Sequence, residues 1–143
     1  MTEVGCGAAR SFLDSSEDDR CLGSGYAMPG YEFKVIDPVT GKTVPPDAMG
    51  ELCVRGYAVT QGYYKKPEET AKAMDSEGWF HTGDVVTRRD DGQIRFLGRY
   101  KDLLKVGGEN VDPIEVEAFL LNHPAISKAQ VVGLPDQRLQ TSG

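Results

Sequence analysis

The chain has 143 residues, enough for one ordinary domain or for parts of two small ones. Hydrophobic residues make up 39% of it and charged residues 27%, a balance that argues against disorder of the whole chain. Its 16 Lys and Arg against 22 Asp and Glu give a net charge of -6, which argues against broad binding to nucleic-acid backbones. No stretch has the roughly 18 apolar residues of a membrane helix, and we expect neither a membrane span nor a secretory signal.

The three cysteines, at positions 6, 21 and 53, cannot all pair with one another, and none belongs to a Cys-x-x-Cys unit. His81 and His123 are far from them in sequence, so we expect neither a zinc site nor a disulfide framework. Small buried or half-buried thiols in a reducing compartment are the simpler interpretation, and the cytoplasm is the expected location.

Short strands joined by turns are predicted for the first two thirds of the chain. The acidic segment at 14–20 predicts a solvated surface loop. Alternating apolar residues predict strands at 31–36 and 51–55, and Pro67 followed by two acids predicts a short helix at 67–74. Strands at 85–87 and 94–97 flank Asp-Asp-Gly, which is a strong hairpin signal.

The pattern changes near residues 99–102, where a β-rich part gives way to an α+β part. The elements predicted beyond it are a strand (103–106), a loop (107–110), a helix that Asp112 caps and that ends near Asn122, and a strand (125–132).

The register of the predicted hairpin depends on the length of its loop. A two-residue loop would put Arg88 opposite Arg95, an unfavourable pair of like charges. A three-residue loop with Gly92 in the left-handed conformation would instead pair Val86 with Phe96, and we prefer this register for its apolar match.

Either register brings Asp84 and Arg99 to the same open end of the hairpin. A carboxylate accepts hydrogen bonds from two neighbouring hydroxyls, and a guanidinium donates from a fixed fork, so together they could bind a vicinal diol such as that of ribose. The alternative is an ordinary cross-strand ion pair, which contributes less than about 1 kcal/mol.

Several motifs give the sequence a family resemblance. They are Met1-Thr2-Glu3, Gly50-Glu51-Leu52, Arg55-Gly56, Gly62-Tyr63-Tyr64 with Pro67-Glu68-Glu69-Thr70, Trp79-Phe80-His81-Thr82-Gly83-Asp84, Gly98-Arg99-Tyr100-Lys101-Asp102 and Gly107-Gly108-Glu109-Asn110. In order and spacing they resemble the adenylate-forming superfamily of acyl-CoA synthetases, adenylation domains and beetle luciferases. The resemblance extends to about Gln140.

The resemblance implies an α+β, β-rich fold in two parts. Residues 1–99 would form a distorted β-barrel-like subdomain, the C-terminal β-rich subdomain of the large AMP-binding domain. Residues 100–143 would form the start of a small α+β domain. The family's phosphate-binding loop and its late C-terminal lysine have no counterpart among these residues. We therefore expect the chain to need the missing remainder of its own enzyme and to hold no complete catalytic set.

Site residues follow from the same resemblance, position by position. Asp84 matches the aspartate that binds the ribose hydroxyls of ATP or acyl-AMP, with Arg99 beside it on the sugar and phosphate side. Thr2 matches a threonine that contacts phosphate, and Glu3 matches a glutamate that helps to hold magnesium.

Three further positions match the family's small domain. Lys101 falls at the hinge about which that domain rotates. Gly107 and Gly108 fall in the loop that approaches the pantetheine arm of coenzyme A, where the lack of a side chain permits close approach. The same glycines also fit a plain tight turn between a strand and a helix.

The function implied is that of part of an AMP-forming acyl-CoA synthetase. A carboxylate would attack ATP to give an acyl-adenylate, and the thiol of coenzyme A would then displace AMP, with Mg²⁺ stabilising charge in the first half. We expect a small-molecule carboxylate substrate, fatty or otherwise aliphatic, and no activity from these residues alone. The alternatives are an adenylation domain that serves a carrier protein and a non-catalytic truncated form that acts as an interaction module.

Overall fold

The computed structural model describes residues 1–107 and 109–134, and its elements confirm the strand-rich α+β class. These residues fall into two compact units, the first from Met1 to Phe96 and the second from Leu97 onward. The elements are β1 (Ala9–Arg10), α1 (Glu17–Cys21), β2 (Tyr26–Ala27), β3 (Tyr31–Ile36), β4 (Gly50–Gly56), α2 (Pro67–Ala73), β5 (Phe80–Arg88), β6 (Ile94–Arg99), β7 (Leu104–Val106), β8 (Glu109–Val111) and α3 (Pro113–Leu121). None of the helices in this described part is both long and apolar enough to cross a membrane.

A four-stranded sheet forms the frame of the first unit. Strands β3, β4, β5 and β6 lie side by side in chain order, and β1 and β2 form a separate two-stranded ladder. β3 pairs antiparallel with β4 from Tyr31↔Gly56 to Ile36↔Glu51, and β4 pairs antiparallel with β5. Among the described strands none joins β3 to β6, so the sheet is open and not a closed barrel.

The two faces of this sheet differ in character, because alternate residues of a strand point to opposite sides. One of them, the core face, carries the main hydrophobic cluster, whose buried members are Val4, Ala8, Tyr31, Val35, Leu52, Val54, Phe80, Val86 and Ile94. The opposite side, the outer face, carries a smaller buried cluster of Ile36, Cys53 and Trp79.

Trp79 covers part of the outer face and is only 8% exposed. The Lys34 ammonium and the Arg55 guanidinium each lie 4.5 Å from the centroid of its ring. Arg55 also donates to both carboxylate oxygens of Glu32, at 2.9 and 3.2 Å. The charged groups themselves therefore lie over the ring in cation–π contacts, and that of Arg55 is paired with a carboxylate at the same time.

A bulge interrupts the ladder between β4 and β5. Glu51 pairs with Val85, and Cys53 pairs with His81. One residue, Leu52, lies between the two on β4, whereas three residues, 82–84, lie between their partners on β5. The Thr82 hydroxyl donates to the Leu52 carbonyl oxygen at 2.8 Å and accepts from the Asp84 N–H at 3.0 Å. The Gly83 N–H donates to a Glu51 carboxylate oxygen at 3.0 Å, and Gly83 has a φ of +69°, which favours glycine. Side chains thus satisfy the backbone groups that the bulge takes out of the ladder.

The turn between β5 and β6 confirms the preferred hairpin loop. The Arg89 N–H donates to the Gln93 carbonyl at 2.9 Å, and the Gly92 N–H donates to the Arg89 carbonyl at 2.9 Å. Gly92 has a φ of +91°. The loop therefore has three residues and ends in a left-handed glycine, because this geometry keeps the strands in the more favourable register.

The acidic segment forms a short helix, so the predicted surface loop at 14–20 is wrong in its second half. The Ser16 hydroxyl accepts from the Asp19 N–H at 3.1 Å and caps α1, whose first turn carries three acidic residues. Asp19 also forms an ion pair with Arg89 at 2.6 Å, and the Gln93 side chain donates to its carbonyl at 3.1 Å. These contacts hold α1 against the hairpin turn.

In the second unit a hairpin replaces part of the predicted loop at 107–110. β7 and β8 pair antiparallel from Leu104↔Val111 to Val106↔Glu109, so positions 109 and 110 belong to a strand. Gly107 follows β7 with a φ of +61°, a left-handed conformation that favours glycine. Gly108 itself lies outside the described residues.

The helix after this hairpin begins as predicted, but the strand predicted beyond it is absent. The Asp112 carboxylate caps α3 by accepting from the Ile114 N–H at 2.9 Å. Through residue 134 the described chain then forms no strand, and the Val131 N–H donates to the Glu117 carboxylate at 2.8 Å. β-branched composition alone does not make a strand, since a strand also needs a neighbour to bond.

Replacing Thr82 with valine tests the bulge, because it removes the hydroxyl and keeps the shape of the side chain. We expect the free energy of unfolding, measured by urea titration, to fall by about 1–3 kcal/mol as buried backbone groups lose this partner. The matched control is Thr82→Ser, which keeps the hydroxyl and should lose only about 1 kcal/mol with the methyl group. A valine variant as stable as the unchanged protein would contradict this account.

Candidate functional site

The core face of the first unit contains a cavity of about 330 Å³. Its wall is mostly apolar and includes Val4, Phe33, Leu52, Val54, Val86, Ile94 and Phe96. Asp84 is the one ionisable side chain among the described residues of this wall, and Thr82 and Ser24 add hydroxyl groups. An apolar cavity with a few convergent polar groups is typical of a site for a small molecule.

Two larger hollows, of about 400 and 560 Å³, lie along α2. Exposed side chains line most of both, among them Tyr63, Lys66 and Glu69 in the first. We place the candidate site in the smaller cavity because, of these three hollows in the described part of the chain, it is the one that combines a carboxylate with buried apolar walls.

The bulge determines where Asp84 lies. Bulges bend a strand locally and redirect its side chains, and they are common beside functional sites. Here the Asp84 N–H is tied to the Thr82 hydroxyl, which is itself tied to β4, so the backbone that carries the carboxylate is fixed. Asp84 is half-buried in the cavity wall, as a group that meets a polar ligand should be.

Arg99 is the last residue of β6 and belongs to the second unit. Its carbonyl oxygen accepts from the Asp102 N–H at 2.9 Å and from the Leu103 N–H at 3.1 Å, which forms a turn directly after the strand. Asp84 and Arg99 thus lie in different units, and their cooperation on one ligand stays a prediction of the hairpin register.

Two tyrosines fix the N-terminal segment beside the cavity. The buried Tyr31 hydroxyl donates to the Val4 carbonyl at 2.8 Å, and burial is the main reason that the pKa of Tyr31 is raised. The Tyr63 hydroxyl donates to the Glu3 carboxylate at 3.2 Å, and the Thr60 N–H donates to the Glu3 carbonyl at 2.7 Å. The segment therefore has a defined position although it belongs to no strand or helix.

Thr2 and Glu3, the predicted phosphate and magnesium residues, lie in this segment next to Met1, which lines the cavity. Thr2 is exposed, and its carbonyl oxygen accepts from the Gly5 N–H at 3.1 Å. Glu3 is half-buried and offers carboxylate oxygens, the donors that Mg²⁺ prefers. Glu3 therefore fits the role of a magnesium ligand in its donor type and in its fixed backbone.

The predicted residues of the second unit lie on exposed backbone. Lys101 is exposed in the turn that follows β6, and Gly107 is exposed in the turn between β7 and β8. Near them, a Cβ added at Gly98 would make only ordinary van der Waals contact with the Asp112 carboxylate, at 3.6 Å, so packing does not require glycine at this position. Gly108, the other predicted coenzyme A residue, lies outside the described residues.

Sequence reasoning missed a polar cluster on the outer face. His81 Nδ1 lies 3.1 Å from a Glu51 carboxylate oxygen and 3.7 Å from Cys53 Sγ. His81 Nε2 lies 3.7 Å from an Asp75 carboxylate oxygen. Burial is the main reason that the pKa of the Cys53 thiol is raised, to about 12, and nearby Glu51 adds to the effect. In the absence of a metal ion this thiol is therefore protonated.

The pairing of β4 with β5 creates this cluster. Cys53 and His81 are direct partners in the ladder, so their side chains lie on the same face, and Glu51 precedes Cys53 by two residues. The expectation of no zinc site was based on the distance in sequence between the histidines and the cysteines, but the structure places His81 Nδ1 3.7 Å from Cys53 Sγ. Alternating Glu-x-Cys in a strand was the available signal.

Comparison with known proteins adds to this geometry. A family model described as AMP-binding enzyme matches residues 1–64. Over 113 residues the chain is 47% identical to 4-coumarate–CoA ligase-like 9 of Oryza sativa subsp. japonica, an alignment that covers 79% of this chain and 20% of that protein. It is also 47% identical over 115 residues to the medium-chain fatty-acid–CoA ligase of Escherichia coli strain K12, covering 80% and 20%.

A solved structure resembles the chain over nearly all of its length. The crystal structure of ATP-bound MatB from Rhodopseudomonas palustris superposes with a TM-score of 0.89 and 33% identity, over 99% of this chain and 27% of that one. The chain thus spans about a fifth of the two ligases and about a quarter of the solved protein. Sequence and fold agree over this length, and the chain belongs to the adenylate-forming superfamily, among the AMP-dependent acyl-CoA synthetases and ligases.

Proposed function

We propose that this chain forms the nucleotide-binding β-rich part and the beginning of the small domain of an AMP-forming acyl-CoA ligase. The overall reaction joins a carboxylate to ATP, releases pyrophosphate, and then transfers the acyl group from the adenylate to coenzyme A with release of AMP. The observation that carries the proposal is the half-buried Asp84 carboxylate in an apolar cavity, on a bulge whose backbone is held by Thr82 and Glu51.

In this proposal Asp84 accepts hydrogen bonds from the two ribose hydroxyls of ATP and of the acyl-adenylate. A diol offers two donors, and an ionised carboxylate offers only acceptors, so the match is specific for the sugar rather than for the base. Charge assistance makes these hydrogen bonds stronger than neutral ones. Arg99 would donate from the sugar and phosphate side once the adjoining unit supplies it.

Thr2 and Glu3 act on the phosphate side. The Thr2 hydroxyl would contact phosphate, and Glu3 would be one carboxylate ligand of Mg²⁺. When bound, Mg²⁺ neutralises phosphate charge and so eases the approach of a second anion, the substrate carboxylate. Tyr63 and Thr60 hold Glu3 in place on the first unit, which favours a fixed position for this carboxylate.

Lys101, Gly107 and Gly108 serve the thioester-forming half of the reaction in this proposal. The exposed turn at Lys101 is a suitable hinge because little packing opposes a change of its backbone angles. The two glycines would lie along the pantetheine arm of coenzyme A, where missing side chains leave room.

For the acyl group we propose an aliphatic carboxylate, handled in the cytoplasm as a small molecule. One similar protein is named for a medium-chain fatty acid and the other for 4-coumarate, and both are CoA ligases by name. A requirement for coenzyme A, tested in the enzyme that contains this chain, would separate this proposal from an adenylation domain that loads a carrier protein.

Asp84→Asn should raise the KM for ATP by about tenfold to a hundredfold, because a charged hydrogen-bond acceptor is lost. Initial rates at varied ATP, in the enzyme that contains this chain, measure the change. Asp90→Asn is the control, since Asp90 is exposed at the tip of the hairpin and should leave the KM unchanged. An unaltered ATP dependence in the Asp84 variant would remove the basis of the proposed ribose site.

Glu3→Gln should raise the Mg²⁺ concentration needed for half-maximal turnover, because an amide oxygen is a weaker ligand for this ion than a carboxylate. Glutamine can still accept from the Tyr63 hydroxyl, so the segment should keep its position. Glu17→Gln in the exposed helix α1 is the control. If both variants show the same Mg²⁺ dependence as the unchanged enzyme, Glu3 is not a metal ligand.

Lys101→Pro should slow thioester formation more than adenylate formation, because proline fixes φ at the proposed hinge. Pyrophosphate release and acyl-CoA formation, followed in separate assays, give the two rates. Lys101→Ala removes the same side chain but leaves the backbone angles free. We therefore expect it to change the rates of adenylate formation and thioester formation to the same extent. Equal losses in both half-reactions with proline would argue against a hinge at this position.

A further inference from the structure

The outer-face cluster of Glu51, Cys53 and His81 brings three different metal-binding atoms together. A carboxylate oxygen, a thiol sulfur and an imidazole nitrogen all lie within 4.8 Å of one another. Two adjacent strands of one sheet supply them, so their backbones are fixed by the ladder rather than by a loop. This mixed set of oxygen, sulfur and nitrogen donors suits a borderline-soft cation better than Mg²⁺ or Ca²⁺.

Two of the three distances within the cluster match the edges of a tetrahedral zinc site. With usual bond lengths to zinc, sulfur and nitrogen ligands stand about 3.6 Å apart, and nitrogen and oxygen ligands about 3.3 Å. The corresponding distances here are 3.7 Å from Cys53 Sγ to His81 Nδ1 and 3.1 Å from Nδ1 to a Glu51 oxygen. The third distance, from the Glu51 oxygen to Cys53 Sγ, is within 4.8 Å.

A carboxylate lies behind one of these ligands, at the distance of an ion pair rather than of a hydrogen bond. A metal ion on His81 Nδ1 places the ring proton on Nε2, which lies 3.7 Å from the Asp75 carboxylate. A carboxylate behind a metal-bound histidine orients the ring and increases its basicity. The other Glu51 oxygen accepts from the Gly83 N–H at 3.0 Å, which holds that carboxylate in turn.

Burial and access are also compatible with a metal ion. Cys53 is fully buried at 0% exposure, whereas the side chains of His81 and Glu51 are 27% and 12% exposed and leave an entry path. A bound cation deprotonates a coordinating thiol outright, so the protonated state of Cys53 without metal does not prevent coordination.

We propose that Glu51, Cys53 and His81 form a binding site for Zn²⁺, with a water molecule as fourth ligand and Asp75 as the positioning residue behind His81. Because Glu51 also holds the Gly83 N–H, zinc on the outer face would restrain the bulge that carries Asp84 on the core face. The proposal does not depend on the ligase function, since it concerns metal binding alone.

Cobalt(II) is the probe, because its complexes with thiolates absorb in the near ultraviolet and its tetrahedral complexes absorb strongly in the visible. The metal-free protein is titrated with Co²⁺ in a Cys6→Ser, Cys21→Ser background, which removes both exposed cysteines and keeps the site. We expect thiolate and tetrahedral bands that saturate at one Co²⁺ per chain and disappear on addition of Zn²⁺, which binds more tightly. Absence of these bands in this background would overturn the proposal.

Three variants in the same background identify the ligands, and the two histidine variants among them form a matched pair. Cys53→Ser should abolish the thiolate band, and His81→Gln should weaken Co²⁺ binding at least about a hundredfold, whereas His123→Gln should have no effect. Bands that survive in both site variants would also overturn the proposal. If circular dichroism shows that Cys53→Ser is unfolded, the comparison of the two histidines decides.

Asp75→Asn tests whether the Asp75 carboxylate orients His81, without disrupting the turn that Asp75 stabilises. The asparagine oxygen can still accept from the Glu77 and Trp79 N–H groups, which Asp75 Oδ1 now does at 2.9 Å each, so the turn should remain. The carboxylate behind His81 is lost, and we expect Co²⁺ affinity to fall by about tenfold to a hundredfold with the thiolate band unchanged in shape. Unchanged affinity would remove Asp75 from the site.

Discussion

The hydrogen bond from the Thr82 hydroxyl to the Leu52 carbonyl holds the part of the sheet on which the candidate site depends. Two extra residues in β5 break the ladder, and without a substitute partner their backbone groups would be buried and unbonded. The same hydroxyl accepts from the Asp84 N–H, so one small side chain closes the bulge and fixes the carboxylate beside it. Threonine, glycine and aspartate therefore have separate roles in the bulge. Thr82 supplies the bridging hydroxyl, Gly83 adopts the positive φ, and Asp84 carries the carboxylate that lines the cavity.

Glu51 connects the two faces of the sheet. One of its oxygens accepts from Gly83 inside the bulge, and the other lies against His81 on the outer face. The outer cluster and the backbone next to Asp84 thus share a single carboxylate. The core face and the outer face are thus physically linked at this point, although their side chains point in opposite directions.

The sequence allowed most of the regular elements to be predicted and little of the site geometry. Periodicity and end signals located β3, β4, α2 and α3, since these depend on local composition, and the hairpin loop followed from matching apolar pairs. The bulge was not predicted, although glycine inside an alternating strand is a recognised sign of one. The outer cluster was not predicted either, because the Glu-x-Cys alternation of β4 indicates it only when the register between Cys53 and His81, 28 positions apart, is known. The family resemblance supplied the site residues, and the structure adds the reason why Asp84 reaches the cavity.

The position of Trp79 has a practical consequence for the study of this protein. It is the single indole of the chain, two cations lie over its ring, and its backbone N–H donates to the carboxyl group of Asp75. It also belongs to the same buried cluster as Cys53. Its intrinsic fluorescence therefore comes from one known location, so emission intensity and wavelength report on the outer face without an attached dye.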